Sequence, residues 1–391
     1  MPEIGVAVAD SPVGPFEYLG HVKYPESLGG KELREFMPFD PAVLTDDDGR
    51  VYLYYGFCPA GPKDMSMPEY TEEEIAQFSD EMKERYAVLS KIRFGENSMV
   101  VELEPDMVTM KYTPKPMIPG GKFEQGTGFE GHAFFEASSI RKIGSKYYFV
   151  YSSYLSAELC YAISDKPDEG YVYGGVLVHN GDLGLNGRTK PVNTIGNNHG
   201  GMAKCGDDWY VFYHRQTNGT EFSRQGCAEK ICIKEDGSID QVEITSCGLN
   251  GGPLAGSGSY PAAICCHLTS PTTQDFMDYS APCVKTQTRI TEYQNVCYVT
   301  DIADKTIIGW KYFAFDGECS EILLEVRGCF NGSLKVSTSL EEDLIGASEI
   351  SVDTENWKNL VIPAELGEGT KALYLSFEGL GKLDLKEIAF L

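Results

Sequence analysis

Several features are missing from this chain of 391 residues. No apolar run reaches the roughly 18 residues of a membrane-spanning helix, so the sequence predicts no membrane partner. No cysteines stand in a CxxC pair, which argues against a structural zinc site. Basic residues are outnumbered: 33 Lys and Arg stand against 58 Asp and Glu, for a net charge of -25. Such a surface repels a phosphate backbone, so the sequence predicts no nucleic-acid partner either.

A signal peptide is also missing. The first residues, MPEIGVAVADSPVG, have no basic segment followed by an apolar run. The twelve cysteines are scattered along the chain, as in a protein with reduced, mostly buried thiols. Both observations predict a cytoplasmic protein.

Aromatic residues and glycine are plentiful, and they favour β structure over helix. The chain contains 23 Tyr, 19 Phe and 42 Gly, and 42% of its residues are hydrophobic, which is enough for a sizeable core. Its length predicts two domains, with a third still open.

One pattern, a turn followed by a strand of alternating aromatic and aliphatic residues, occurs three times. The copies are GRVYLYYG at 49–56, KIGSKYYFVYSS at 142–153 and GDDWYVFY at 206–213. A second pattern, a small-residue strand, a Gly turn and an aromatic strand, occurs at 5–20 and 160–175. Sheets repeated in this way are typical of a β-propeller, so residues 1–250 are predicted to form roughly three blades.

The order of the two patterns predicts an incomplete propeller. At 160–175 the second pattern follows the first, but at 5–20 it stands alone. Its partner strand would precede Met1. The open sheet edge would then need a cover, from a second copy of the chain or from another partner.

Two segments interrupt the predicted strands. Residues 71–92 are rich in helix formers and begin with Thr-x-x-Glu, which predicts a helix with a capping box. This helix could be a lid or a solvated decoration. The Gly- and Pro-rich segment 248–262 predicts a linker or strap. We therefore place a propeller domain at 1–254 and a second domain at 255–391.

The second domain is predicted to be a β-sandwich. Short strands follow one another about every ten residues, with turn residues between them. We see no clear aromatic platform, and Trp310 and Trp357 are candidates for its core. A sugar-binding role and a purely structural role both stay open for this domain.

Three polar residues stand just before the three repeated turns. They are Asp40 in FDPAVL, Glu136 in FFEASS and His199 in GNNHGG, at the same phase of the repeat. Burying an acidic side chain among apolar residues costs free energy, so we expect such a residue to have a function. Two carboxylates and a histidine from successive blades make an acid/base site, and Asp40 and Glu136 should share one pocket.

Four stretches together resemble glycoside hydrolase family 43, a five-bladed β-propeller. They are FDPAVLTDDDGRVYLYYG, FFEASSIRKIGSKYYFVYSS, NNHGGMAKCGDDWYVFYHR and FSRQGCAEKICIKEDGSIDQVEITSCG, and the resemblance covers essentially all of 1–254. The tail at 290–391 is similar to the carbohydrate-binding-module-6-like sandwich. The fold class implied is all-β, an incomplete five-bladed β-propeller followed by a β-sandwich.

The resemblance implies an inverting glycosidase in which two carboxylates work about 6.5–9.5 Å apart. Glu136 matches the general acid, with Glu130 as the competing candidate. Asp40 matches a third carboxylate, whose negative charge modulates the pKa of the acid. The family's general base is an aspartate on the first blade. We find no match for it in residues 1–38.

The resemblance also implies contacts with the substrate. Arg224 matches a substrate-contacting arginine, and His199 matches an axial histidine near a central water or calcium ion. His132, Phe39 and Phe135 are further candidates for substrate binding, although His132 fits a loop role equally well. No cofactor is required, and the match allows Ca²⁺ at His199.

The implied function is hydrolysis of plant polysaccharide side chains or oligosaccharides by an α-L-arabinofuranosidase or β-xylosidase. A second reading stays open because the base aspartate has no match. The chain could instead be a catalytically inactive fragment or a carbohydrate-binding protein.

Overall fold

The computed structural model of the chain describes residues 3–34, 37–59, 70–89, 94–154, 157–220, 222–271, 287–317, 319–340 and 343–391. Strands dominate these residues, and the predicted all-β class is confirmed. No helix among them is long and apolar enough to cross a membrane, and their eleven cysteines are free thiols.

The chain divides into two compact units. The first comprises Met1–Leu177, His199–Met202 and Lys234–Ile239, and the second comprises Val178–Asn198, Ala203–Ile233 and Asp240–Leu391. The predicted domain boundary at residues 254 and 255 lies within the second unit and stays a prediction.

Up to residue 231 the strands form small sheets in which each strand pairs with the next along the chain. They are β1 (Gly5–Val8) with β2 (Glu17–His21); β3 (Ala42–Thr45), β4 (Val51–Tyr55), β5 (Asn97–Leu103) and β6 (Lys115–Pro119); β7 (Phe134–Ile143), β8 (Lys146–Ser153), β9 (Glu158–Ser164) and β10 (Val172–His179); and β11 (Gly201–Cys205), β12 (Asp208–Arg215) and β13 (Gln225–Ile231). Four-stranded antiparallel sheets of this kind are the blades of propellers.

Both predicted repeats are hairpins. The first repeat supplies β3–β4, β7–β8 and β11–β12, and the second supplies β1–β2 and β9–β10. Gly144 and Gly206, in the turns of two of these hairpins, have φ of 61° and 62°. Glycine adopts this backbone conformation without steric cost, which explains why the turns carry it.

Strand β4 shows why aromatic and aliphatic residues alternate. Tyr52 and Tyr54 pack into a core cluster shared with rings of β8, whereas Val51, Leu53 and Tyr55 pack into a second cluster with β5. Successive side chains of a strand point to opposite faces. Because both faces of β4 are buried, neither set of alternating positions is polar.

The predicted helix at 71–92 is two helices in the described residues. They are α1 (Glu72–Ala76) and α2 (Asp80–Leu89). The predicted capping box is confirmed, because Thr71 accepts a hydrogen bond from the amide of Glu74 while the Glu74 carboxylate accepts one from the amide of Thr71. Ser79 causes the break: its hydroxyl accepts the amide of Met82 and so begins a second helix.

One nine-stranded sheet belongs to the second unit. Its strands are β14 (Leu254–Ala255), β15 (Gly258–Pro261), β16 (His267–Thr269), β17 (Arg289–Tyr293), β18 (Val296–Ile302), β19 (Ile307–Phe315), β20 (Glu321–Ser337), β21 (Leu344–Pro363) and β22 (Gly369–Phe390). The sandwich core includes the fully buried Trp310, whereas Trp357 is half-buried beneath the guanidinium of Arg327.

Two expectations about this unit were wrong in detail. Short strands were predicted at 320–328 and 332–338, but β20 runs through both segments, with a shift in register beside Gly328. Gly328 has φ of 127° and its missing side chain leaves room for the adjacent strand, so the residue bends the strand instead of ending it. The predicted linker contributes β14 and β15, which pair with β19 and β22.

A buried carboxyl on β13 makes the stability of the second unit depend on pH. Burial raises the pKa of Glu229 to about 7, although its carboxylate accepts hydrogen bonds from Thr245 and Tyr213. Between pH 4.5 and 7 the folded chain keeps a proton that the unfolded chain has lost. The free energy of unfolding should therefore fall by about 3 kcal/mol as pH rises through this range.

Glu229→Gln tests this expectation by denaturation between pH 4 and 8. All three tryptophans, Trp209, Trp310 and Trp357, lie in the second unit, so their fluorescence reports its unfolding. The variant should lose most of the pH dependence that wild type shows. Glu349→Gln, at an exposed position on β21, should retain it. Equal pH slopes in wild type and Glu229→Gln would contradict the assignment.

Candidate active site

Asp40, Glu136 and His199 each lie at the start of the first strand of a sheet. Asp40 lies two residues before β3, Glu136 is the third residue of β7, and His199 lies two residues before β11. This equivalence is the one the repeat predicted. Because the three sheets begin with the same hairpin, equivalent positions can present their side chains to one point.

The structure brings the three side chains together as a carboxylate–histidine group. His199 Nε2 lies 2.6 Å from Glu136 Oε1, and His199 Nδ1 lies 3.7 Å from Asp40 Oδ2. One ligand atom from each residue lies within 4.8 Å of the other two. The expectation that Asp40 and Glu136 share one site is therefore confirmed, whereas their roles stay predictions.

Exposure differs across this group. The Glu136 side chain is only 8% exposed, whereas those of Asp40 and His199 are 28% and 21% exposed. A molecule in solution can therefore reach the group, while the carboxyl of Glu136 lies in a largely dry environment.

Unusual backbone conformations hold the two carboxylates in place. Asp40 has φ of 45° and Ala137 has φ of 66°, in the left-handed region that residues other than glycine rarely adopt. Strand β7 shifts register on both sides of Glu136, and the amide of Ala137 donates to Asp40 Oδ2 at 3.1 Å. The bulge thus ties the backbone beside one carboxylate to the other carboxylate.

Four half-buried phenylalanines form an aromatic cluster beside the group. Phe57 is its centre, with ring centroids 5.2 Å from Phe39, 5.1 Å from Phe135 and 5.6 Å from Phe94. Phe39 and Phe135 are two of the predicted substrate-binding residues, and that role stays a prediction. Neither Phe94 nor Phe57 was predicted, because no local pattern of the sequence indicates their ring contacts.

His132 belongs to a second group of side chains. Its ring stacks on Tyr173 with centroids 4.8 Å apart, and its Nδ1 lies 2.9 Å from Glu158 Oε2. The hydrogen bond that His132 makes to the Glu158 carboxylate raises the pKa of His132. Ser153 also donates to Glu158, and Cys160 lies 3.9 Å from it. Of the two interpretations of His132, these contacts favour an anchor for its loop.

Two other candidates lie outside the carboxylate–histidine group. Glu130, the competing acid, is exposed, and its carboxylate accepts the backbone amides of Gly126 and Thr127 in its own loop. These and other backbone hydrogen bonds lower the pKa of Glu130, which is the wrong direction for a proton donor. Arg224 is exposed in the connection before β13 of the second unit, and its substrate role stays a prediction.

The carboxylate–histidine group does not fit direct coordination of Ca²⁺. Calcium takes six to eight oxygen ligands at about 2.3–2.6 Å. Here two carboxylates and an imidazole nitrogen meet, and the 2.6 Å contact between His199 and Glu136 is a hydrogen bond with no room for an ion between its atoms.

Fold and site together define a class of protein. Paired carboxylates at the starts of propeller-blade strands, each preceded by a half-buried phenylalanine, are the arrangement of an acid/base hydrolase for carbohydrates. Aromatic rings offer a face for the apolar side of a sugar, and the carboxylates supply the proton chemistry.

Comparisons with known proteins identify the family within this class. No protein-family model matches the chain. A xylosidase/arabinosidase of Thermoclostridium stercorarium is 39% identical over 398 residues, covering 99% of this chain and 77% of that protein. The crystal structure of a glycoside hydrolase family 43 arabinoxylan arabinofuranohydrolase from Bacillus subtilis covers 99% of this chain and 73% of that one, at 21% identity and a TM-score of 0.42.

The tail has its own structural neighbour. The carbohydrate-binding domain CsCBM6-3 from Clostridium stercorarium covers 36% of this chain and 97% of that domain, at 13% identity and a TM-score of 0.30. The relative at 39% identity is matched along nearly the whole of this chain. This chain belongs to glycoside hydrolase family 43, as a glycoside hydrolase of the arabinofuranosidase/xylosidase type.

Proposed function

We propose that this chain releases α-L-arabinofuranosyl or β-xylosyl groups from plant polysaccharide side chains or oligosaccharides, with inversion at the anomeric carbon. The observation that carries the proposal is the binding of Asp40 and Glu136 to one imidazole. The names of two relatives, xylosidase/arabinosidase and arabinoxylan arabinofuranohydrolase, support these two sugars as candidates.

Glu136 is the proton donor in this proposal. Its side chain is nearly buried and its carboxyl lies 2.6 Å from His199, so its position is fixed for delivering a proton to a glycosidic oxygen. Protonation of the leaving oxygen lowers the barrier to cleavage because the departing group leaves as a neutral alcohol.

Asp40 acts through Glu136 and is not the residue that activates water. Oxygens of the two carboxylates lie within 4.8 Å, which is shorter than the about 6.5–9.5 Å that separates the acid and base of an inverting enzyme. Both also contact the same imidazole, Glu136 at Nε2 and Asp40 at Nδ1. In this proposal Asp40 is the third carboxylate, which acts on the reaction only through Glu136.

No metal takes part in the proposed steps. Hydrolysis by carboxylates needs no cofactor. The donors around His199 suit a hydrogen-bonded network better than a calcium ion, for the reasons of geometry given above.

The configuration of the released sugar tests the proposal. Proton NMR should show that the first sugar formed from p-nitrophenyl α-L-arabinofuranoside or β-D-xyloside has the anomeric configuration opposite to that of the substrate. A first product of unchanged configuration would assign Asp40 the role of nucleophile, in keeping with its short distance from Glu136. Cleavage of neither substrate would overturn the proposal.

One observation favours a second candidate, a carbohydrate-binding protein without hydrolytic activity. Among the described residues the carboxylate–histidine group contains two carboxylates, and neither is placed to activate water. Calorimetric titration with xylo- and arabino-oligosaccharides separates the candidates. Binding without any release of sugar would support the second one.

A further inference from the structure

A short segment after β4 is hydrogen-bonded to the backbone beside both carboxylates. The amide of Gly56 donates to the carbonyl of Phe39 at 3.0 Å, and the amide of Cys58 donates to the carbonyl of Phe135 at 2.8 Å. Each of these carbonyls belongs to the residue directly before a carboxylate of the site. One segment of three residues therefore connects the first strands of two neighbouring sheets at the site.

The middle residue of this segment reinforces the connection through its side chain. The ring of Phe57 lies within 5.2 Å of those of Phe39 and Phe135, at tilted or edge-on angles that aromatic pairs prefer. Its own carbonyl accepts the amide of Gly95 at 2.8 Å, so Phe57 is fixed on a third side.

The backbone at the site needs such support. Asp40 and Ala137 hold left-handed conformations, which persist only where the surrounding structure fixes them. Neither Asp40 nor Ala137 has a large side chain whose packing could hold this backbone in place. The rings of the preceding residues, Phe39 and Phe135, meet on Phe57.

We propose that Phe57 is a positioning residue that sets the separation of the Asp40 and Glu136 carboxylates. The catalytic consequence of this proposal rests on the function proposed above, whereas its geometric part does not. Without the ring, the two preceding residues lose their common partner and the carboxylates shift independently. Displacements of about 1 Å are enough to slow a reaction that depends on alignment.

Kinetics of Phe57→Leu test the catalytic part. We expect kcat to fall about ten-fold or more on aryl glycosides, KM to change less than about two-fold, and the limbs of the pH profile of kcat to move. Phe57→Tyr, which keeps the ring, should restore all three. A higher KM at unchanged kcat would overturn the proposal, since it would make Phe57 a sugar contact. Phe57→Met, closer in volume, replaces the leucine variant if that variant does not fold.

Phe78→Leu is the matched control. Phe78 is also half-buried and also joins two rings, those of Tyr70 and Tyr86, within the helical segment. Its replacement should leave kcat, KM and the pH profile as in wild type. Equal kinetic losses in Phe57→Leu and Phe78→Leu would mean a general loss of packing and would overturn the proposal.

Nitrogen-15 NMR of the histidine rings tests the geometry without turnover. The His199 signal, assigned by its loss in His199→Gln, reports the contacts with Glu136 and Asp40. It should shift in Phe57→Leu and stay in place in Phe78→Leu and Phe57→Tyr. An unmoved signal in Phe57→Leu would overturn the proposal. Absence of turnover in wild type, with this shift present, would count against the proposed function alone.

Discussion

Glu136→Gln is expected to lower kcat on unactivated oligosaccharides by about 10²–10⁴-fold, with little change in KM. Glutamine keeps the size of the side chain and can still hydrogen-bond to His199, but it has no proton to give. The glycosidic oxygen of an oligosaccharide is a poor leaving group, so cleavage depends on that proton. Steady-state rates on short arabinoxylan-derived oligosaccharides provide the measurement.

The leaving group offers an internal check. Cleavage of a dinitrophenyl glycoside releases dinitrophenolate, a stable anion that needs little protonation. Glu136→Gln should therefore retain far more activity on this substrate than on oligosaccharides. Glu130→Gln, six residues earlier, is the matched control and should behave as wild type, because the Glu130 carboxylate accepts backbone amides of its own loop. Equal losses on both kinds of substrate would rule out Glu136 as the acid.

Lys311→Met is expected to reduce the free energy of unfolding of the second unit by about 3–5 kcal/mol. The ammonium of Lys311 is only 2% exposed and lies 3.1 Å from Asp182 and 2.7 Å from Glu243. Without the ammonium, the negative charges of Asp182 and Glu243 are less well neutralised, and the Asp182 side chain is fully buried. Denaturation followed by tryptophan fluorescence measures the change.

Lys335→Met controls for the loss of a lysine from the same unit. Lys335 lies 3.0 Å from Glu378, but both side chains are about half exposed. Solvent screens such a pair, and its loss should cost at most about 1 kcal/mol. Similar destabilisation by the two substitutions would show that the buried network around Lys311 is not the reason for its effect.

The local pattern was enough to predict the repeat and the residues at its start. Alternation in β4 and β8, with turn residues before each, identified the hairpins, because strands buried on both faces leave that pattern in the sequence. The common phase of Asp40, Glu136 and His199 then placed them at equivalent points of three hairpins.

Other features had no local signal. Ser79 lies in a helix-forming segment, and the sequence does not indicate that its hydroxyl caps α2. Gly328 is typical of a turn in the sequence, although in the structure it bends one long strand. The residues on either side of Phe57 in the sequence do not indicate which rings it contacts. Its contacts with Phe39 and Phe135 exist because two sheets meet there, and no pattern along the chain encodes that meeting.

The sequence by itself determined that this protein consists of twisted sheets with short turns, and which polar residues begin them, since both depend on periodicity and on glycine within a few residues. Only the tertiary structure decided that the carboxyl of Glu136 is hydrogen-bonded to His199 and that Asp40 joins them. Those contacts connect residues 63 or more positions apart, and the strained backbone at Asp40 and Ala137 is stable only through packing from other strands.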